Sequence, residues 1–390
     1  MKLSTDIVNL GTHLLNIRTG DLFEIDESGE RALELLREGI VKQNETTQFM
    51  IDNDIVVEPA RNPSRDFFHL QWHLLNDCNL RCRHCYDWKE KVRTLSFEEM
   101  LNTIDNYVLF LKRMGMDGEI SLTGGEPLMF KRIGELIEYI KSRDVFISLY
   151  ILTNGTIMND LFIELFSGYN IGVQVSIDGT EDKHDEIRGK GNYHRSIRTL
   201  ERLLRANIDT AVHYVIMKRN VSVVREFLEE MRKIGIDKIH FSRLVPIGPG
   251  AKEKMLSPEE LREIMEEIAE YQKNTSMHVI ATRPIWTLVG GGGICPVGYK
   301  TLTIDANGQY LPCRRLPIPL GDTRRDSFFK IWFCSPLLQK MREREKYIKI
   351  CGTCSNANVC GGCRGIAYAV TGDPFAPDPN CWLNNREMTL

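Results

Sequence analysis

Three cysteines fall within eight positions of the stretch "NDCNLRCRHCYDW", residues 76–88. Cys78, Cys82 and Cys85 form a C-x-x-x-C-x-x-C pattern. Closely spaced thiolates hold a tetrahedral zinc or an iron–sulfur cluster. Three of them are one short of a full set. A structural zinc site would close its fourth position with His84 or Asp77. A 4Fe–4S cluster on three thiolates would instead keep one iron open to a substrate or cofactor. Zinc sites usually pair two C-x-x-C units, so the open cluster is the better reading.

Seven more of the eleven cysteines form a second pattern. Cys295 and Cys313 bracket Gly308 as C-x12-G-x4-C. Cys351, Cys354, Cys360 and Cys363 follow as C-x2-C-x5-C-x2-C, and Cys381 closes the set. A zinc ribbon is the alternative for the central four, but ribbons separate their pairs by about 15 to 20 residues. Cys334, in "SFFKIWFCSPLLQKM", sits on an amphipathic helix and reads as a core or surface residue. The run Gly290–Gly293 reads as a flexible approach to Cys295. No Lys-Ser/Thr and helix start follow it, so it is not a phosphate cradle.

These residues must be positioned by a frame, and the chain supplies one. From Phe67 to Val245, β-rich runs alternate with helix-period segments. The expected strands are Phe67–Leu74, Gly118–Leu122, Val145–Leu152, Ile171–Ile177, Asp209–Ile216 and Lys238–Val245. Ser96 and Glu99 form a capping box at the start of the first helix, which carries Met100, Ile104, Tyr107, Val108 and Leu111 on one face. Six strands alternating with helices predict a parallel, partly closed (β/α)6 barrel, with chemistry at the C-terminal strand ends. The first cysteine triplet follows the first strand.

The expected division is a small α+β unit over 1–62, the barrel over 63–250 and a cysteine-rich domain over 251–390. In the first, His13–Ile17 and Asp21–Ile25 read as a hairpin around "RTGD". Helix Ser28–Glu38, a short strand Ile55–Val57 and the linker Glu58–Asp66 follow. Ser257 caps the helix that opens after "PIGPG", with Pro258 at its first position.

The chain has 390 residues, 42% apolar and 26% charged, with a net charge of −3. Positive and negative residues are interspersed, so no electrostatic footprint for nucleic acid or an anionic membrane is expected. No signal peptide or membrane-length apolar run is seen, and a cytoplasmic location is expected.

"CNLRCRHC" after a first barrel strand resembles the signature of the radical S-adenosylmethionine superfamily. The resemblance implies that S-adenosylmethionine fills the open iron position and is cleaved by one electron. A 5′-deoxyadenosyl radical then abstracts hydrogen from a substrate, while the protein positions the cofactor. It also implies the cofactor-binding residues. Gly124, Gly125 and Glu126 in "SLTGGEPLM" would meet the methionine amino group. His84 stands where the family usually has an aromatic against the adenine. Asn154 in "ILTNGT", and Ser176 and Asp178 in "VSIDG", would lie near ribose and methionine. Arg188 in "HDEIRG" resembles the arginine that meets the methionine carboxylate, and Leu244 would touch adenine through its backbone.

The second cysteine pattern is similar to the SPASM extension of that superfamily, which binds one or two auxiliary 4Fe–4S clusters. Two are favoured here. The resemblance assigns Cys351, Cys354, Cys360 and Cys381 to one. Cys295, Cys313 and Cys363 go to the other, whose fourth ligand is missing or not cysteine. "CGGC" departs from the family, which often has three residues inside that last pair. A low-potential donor such as flavodoxin or ferredoxin is the implied electron source.

Fold and cofactor do not name a substrate. The tail "CGGCRGIAYAVTGDPFAPDPNCW" is similar to peptide maturases, so the leading expectation is modification of a ribosomally made precursor peptide. The N-terminal unit would hold its leader by strand addition. The alternative is a haem-pathway enzyme acting on tetrapyrrole propionates. An iron–sulfur electron carrier without catalysis is the alternative of another class. No catalytic acid or base is identified. Asp305 and Arg314 lie in the right domain but read as turn and surface residues.

Overall fold

The computed structural model describes residues 2–4, 7–16, 21–37, 44–53, 55–57, 66–86, 93–281, 283–347 and 349–383. Ile17 and most of the "RTGD" turn, Glu38, residues 58–65 of the expected linker and Trp88 lie outside them.

Ten strands form the main sheet. Its order is His278–Ala281, Lys238–Arg243, Thr210–Ile216, Gly172–Ser176, Ile147–Thr153, Asp117–Thr123, Phe67–His73, Thr301–Ile304, Gln309–Leu311 and Gly321–Asp322. The six barrel strands expected from the sequence are consecutive in it. His278–Ala281 adds a further parallel strand beside Lys238–Arg243. Thr301–Ile304 runs parallel to the first barrel strand, with Thr301 opposite His69 and Ile304 opposite Trp72. The cysteine-rich region therefore starts as a continuation of the barrel sheet. Its next two strands are antiparallel.

The barrel strands bury their helix-facing side completely, while the other side carries half-buried residues that open on the barrel interior, as in Ile147–Thr153 and Gly172–Ser176. On the first strand, Phe68, Leu70 and Trp72 are fully buried, and Leu74 follows them. The Phe68 and Phe110 rings meet edge-on at 4.9 Å, which seats helix Phe97–Met114. That helix starts where its capping box places it: Glu99 N–H donates to Ser96 Oγ at 3.1 Å, and Ser96 N–H donates to Glu99 at 2.7 Å. Ser257 and Glu260 repeat the device at helix Pro258–Lys273.

Contacts divide the chain into two compact units. One comprises Met1–Phe68, Ile104–Glu119 and Arg132–Ser148; the other comprises His69–Thr103, Ile120–Lys131 and Leu149–Leu390. Within the first, the N-terminal segment has its own sheet, Ile7–Asn9, His13–Asn16 and Leu22–Glu24, all antiparallel. Helices Glu27–Arg37 and Glu45–Asp52 accompany it. Ile7, Leu14, Ala32, Leu33, Met50, Ile55 and Val56 form its core. The strand Ile7–Asn9 and the second helix were not foreseen. The first is too short for a periodic signal; the second is marked only by Asn44, which caps Thr47 N–H at 2.8 Å.

Candidate active site

All the site residues lie in the second unit. Loops after successive barrel strands converge on an open cavity of about 1070 Å³. Cys78, Cys82 and Cys85 line it together with His84, Gly124, Gly125, Asn154, Ser176 and Arg188. Glu126, Asp178 and Leu244 do not line it. They are buried, and two of them hold residues that do.

The glycine pair has a structural task. A Cβ on Gly125 would lie 2.2 Å from the Asp77 carbonyl oxygen, and one on Gly124 would lie 2.3 Å from that of Leu75. The two backbones are stapled: Gly125 N–H donates to Leu75 O at 2.7 Å, and Glu126 N–H donates to Asp77 O at 2.9 Å. The close approach needing glycine is thus to the segment leading into the cysteine loop. Gly124, at φ +141°, also adopts a conformation that side chains disfavour.

Glu126 is fully buried and accepts from Leu128 N–H at 3.2 Å, Thr153 Oγ1 at 2.7 Å and Asn154 N–H at 2.8 Å. It fixes the turn after the third strand. Asn154 Nδ2 then donates to Asn79 at 2.9 Å, between two loops of the cavity rim. Burial pushes the Glu126 carboxyl up to about 7, against the pull of those donors.

Asp178 is also fully buried. It accepts from Arg188 Nε at 2.6 Å and from Val215 N–H at 2.8 Å. His84 Nε2 lies 3.4 Å from it. Burial opposes ionisation, but the Arg188 charge and the His84 ring hold the carboxyl below the usual carboxylate range. Its partner Arg188 reaches the cysteine loop, with one guanidinium nitrogen 3.8 Å from Cys82 Sγ. Burial lowers His84 to about 4. Leu244 packs with Ile187, Val215 and Met217.

The triplet fits a cluster on three thiolates. Cys78, Cys82 and Cys85 are each part-exposed to the cavity, and Arg188 sets positive charge beside Cys82. Burial pushes the Cys78 and Cys82 thiols up, so metal must displace their protons. Among the described residues, no three His, Cys, Asp or Glu side chains converge as they would on a single ion. A 4Fe–4S cluster does not ask for that, because each thiolate binds a different iron.

The other motif cysteines separate into two places. Cys351, Cys354, Cys360 and Cys381 line one cavity of about 440 Å³, with Gly361, Gly362 and Asp378. Cys295 and Cys313 pack with Val297, Leu316 and Met341. Cys363 packs with Val245 and Ile366. Burial raises the Cys295 thiol to about 11, and the neighbouring Cys363 and Cys313 add to that. A buried pair ties these places to the barrel: Arg243 donates to both Asp378 oxygens at 2.9 and 2.8 Å, and Cys363 N–H donates to Asp378 at 2.6 Å. Cys334 ends helix Phe328–Cys334 and is exposed.

The cavity contains residues that sequence reading did not single out. Gln174, His213 and Ser242 point inward from the fourth, fifth and sixth strands, and Arg315 joins them. Arg314, expected at the surface, also lines the cavity. The usable signal was a period of two: polar Gln174 and Ser176 alternate with buried Val173 and Val175.

Comparison with known proteins agrees with this architecture. Residues 72–231 match the Radical SAM superfamily model, and residues 295–355 match the iron-sulfur cluster-binding SPASM domain. AdoMet-dependent heme synthase of Methanosarcina barkeri is 28% identical over 80% of this chain and 95% of its own. Sporulation killing factor maturation protein SkfB of Bacillus subtilis is 29% identical over 68% of this chain and 65% of its own. Streptococcus suis SuiB bound to precursor peptide SuiA shares the fold, with a TM-score of 0.65 and 18% identity. That match covers 98% of this chain and 100% of SuiB.

Proposed function

The chain is a radical S-adenosylmethionine enzyme of the SPASM subgroup, and on that premise we propose that its substrate is a ribosomally made precursor peptide. The observation that carries this reading is the N-terminal unit. The outer edge of Leu22–Glu24 pairs with no strand among the described residues. Beside it lies an open groove of about 580 Å³, with Leu14, Phe23, Ile25, Phe49, Met50 and Ile55 on its apolar side and Glu24, Asp26, Ser28, Gly29 and Thr46 on its polar side. Phe49 is 51% exposed in the groove, and Leu22, on the same edge strand, is 57% exposed. An unpaired edge next to a groove of mixed polarity suits an extended peptide that adds as a strand and seats alternate side chains. The SuiB likeness, which extends over nearly the whole chain, and the SkfB relationship support the reading.

At the active site, Cys78, Cys82 and Cys85 would hold the 4Fe–4S cluster, and the cavity rim of Gly124, Gly125, Asn154, Ser176 and Arg188 would hold S-adenosylmethionine. Glu126, Asp178, His84 and Leu244 would shape that rim, the first two as anchors of Asn154 and Arg188. When bound, cluster and cofactor supply the one-electron cleavage that starts hydrogen abstraction. The protein's own part is to orient the substrate and keep water away. Two auxiliary clusters would occupy the two C-terminal places, one on Cys351, Cys354, Cys360 and Cys381, the other on Cys295, Cys313 and Cys363. A flavodoxin or ferredoxin would deliver electrons.

The extent of the heme synthase match favours a second reading, oxidation of tetrapyrrole propionates. One experiment separates the two. Reconstituted, reduced enzyme is given S-adenosylmethionine with either a candidate precursor peptide or iron-coproporphyrin III. 5′-Deoxyadenosine with a mass change in a peptide supports the first reading. A mass change in the tetrapyrrole alone overturns it.

A further inference from the structure

The active-site cavity is strongly one-signed. Arg188, Arg243, Arg314 and Arg315 line it, and no Asp or Glu does among the described residues. Two of these charges are already matched. Arg188 is paired with buried Asp178, and Arg243 with buried Asp378. Arg314 and Arg315 have no carboxylate within ion-pair distance among the described residues. A guanidinium without a counter-charge in a half-enclosed cavity costs free energy that a bound anion recovers.

The two arginines face different neighbours. Arg315 follows Cys313 closely, and its backbone N–H lies 3.4 Å from that sulfur. Its charge acts on the Cys313 sulfur, against the burial that raises that thiol, so a cluster held there would use it. Arg314 instead extends over the Tyr86 ring, 5.7 Å from its centroid, just beyond the first cysteine triplet. His213 and Gln174 line the same cavity from barrel strands, and the Arg314 charge is felt at His213. Neither side chain has a hydrogen-bond partner in the protein among the described residues. Burial and then the Arg314 charge hold His213 well below its ordinary value, so the ring is neutral and keeps one N–H to donate. One permanent cation and two neutral donors around a cavity suit a carboxylate better than any cationic or purely apolar group.

We propose that Arg314, with His213 and Gln174, binds a carboxylate of the substrate in the active-site cavity, so that the precursor peptide presents an Asp or Glu side chain beside the residue to be modified. The inference rests on the peptide reading for the source of that carboxylate. The subsite itself asks only for the carboxylate, which a tetrapyrrole propionate also carries.

The test uses the full-length, reconstituted enzyme loaded with S-adenosylmethionine and two probes, a pool of dodecapeptides randomised at one position of an otherwise acid-free sequence, and coproporphyrin III. The Asp-plus-Glu to Asn-plus-Gln ratio is read in the retained peptides. Wild type should enrich acids about 10-fold or more, the usual worth of a charge-assisted contact. Arg314→Gln should return the ratio to that of the input, and Arg314→Lys should keep part of the enrichment. Cluster absorbance and S-adenosylmethionine binding check that each variant is loaded. No acid enrichment by wild type, or enrichment unchanged in Arg314→Gln, overturns the proposal on the peptide side. If peptides are not retained but coproporphyrin binds with the same dependence on Arg314, the carboxylate subsite stands and the peptide reading falls. If neither probe shows that dependence, the subsite is wrong.

Discussion

Single residues here act mostly through what they hold. Asp178 was expected near the cofactor, yet it is sealed beneath the cavity and aims Arg188 at the cysteine loop. Removing one member of a buried ion pair leaves the other charged without a partner, at about 3–5 kcal/mol. Arg188→Gln should therefore lower the unfolding free energy of the metal-free chain by that order in a urea titration. The same variant should lose most 5′-deoxyadenosine production. Arg188→Lys should restore stability in part, because a point charge cannot keep the same two-sided contact. Glu126 gives a pH signature. Its carboxyl sits at about 7 in the folded chain against 4.5 ordinarily. The folded state holds the proton more tightly, so this stabilisation is full below pH 4.5 and is lost as pH rises through 7. Relative to Glu126→Gln, wild-type urea midpoints should fall across that window. Parallel midpoints would show that Glu126 does not titrate there.

At the scale of elements, the site depends on turns that lock to one another after successive strands. The second-strand turn grips the segment before the triplet, and the third-strand turn is held by Glu126 from the second. Gly125→Ala forces a methyl group against the Asp77 carbonyl, so Asn76 and Asp77 must move. The barrel should survive, since its core lies on the helix side of the strands. The chain should fold with unchanged far-UV circular dichroism but lose about four irons on reconstitution, one cluster's worth. Full iron loading in Gly125→Ala would show that the staple does not position the triplet. The amphipathic helices, the Ser96–Glu99 capping box and the Ser257 N-cap were legible in the sequence because they depend on local spacing alone. The strand at Ile7–Asn9 and the extension at Thr301–Ile304 were not, because short strands are defined by their partners. Thr301–Ile304 alternates Thr, Leu, Thr and Ile over only four residues, too short a run to mark a strand by itself.

For the whole molecule, two separate cysteine places beyond the triplet predict three clusters. Reconstituted enzyme should carry about twelve irons and as many sulfides, and about eight would remove one auxiliary cluster. Cys351→Ala should lower the count by about four and leave the triplet's electron paramagnetic resonance signal in place. Among the described residues, no helix is long and apolar enough to cross a membrane. The strand–helix alternation determined the barrel from sequence alone, and the cysteine spacings and the "GGE" turn carried the resemblance to the family. These are local signals, written within a few residues of one another, and they survive without knowledge of any distant contact. The tertiary structure decided which charges face the cavity. Arg314 looks like any surface arginine in the chain, and Asp178 looks like a ligand contact. Their roles follow from which side of a strand or turn each one leaves and what has already paired with its neighbours. That depends on closing a sheet whose strands are separated by more than two hundred residues, as when Thr301 meets His69.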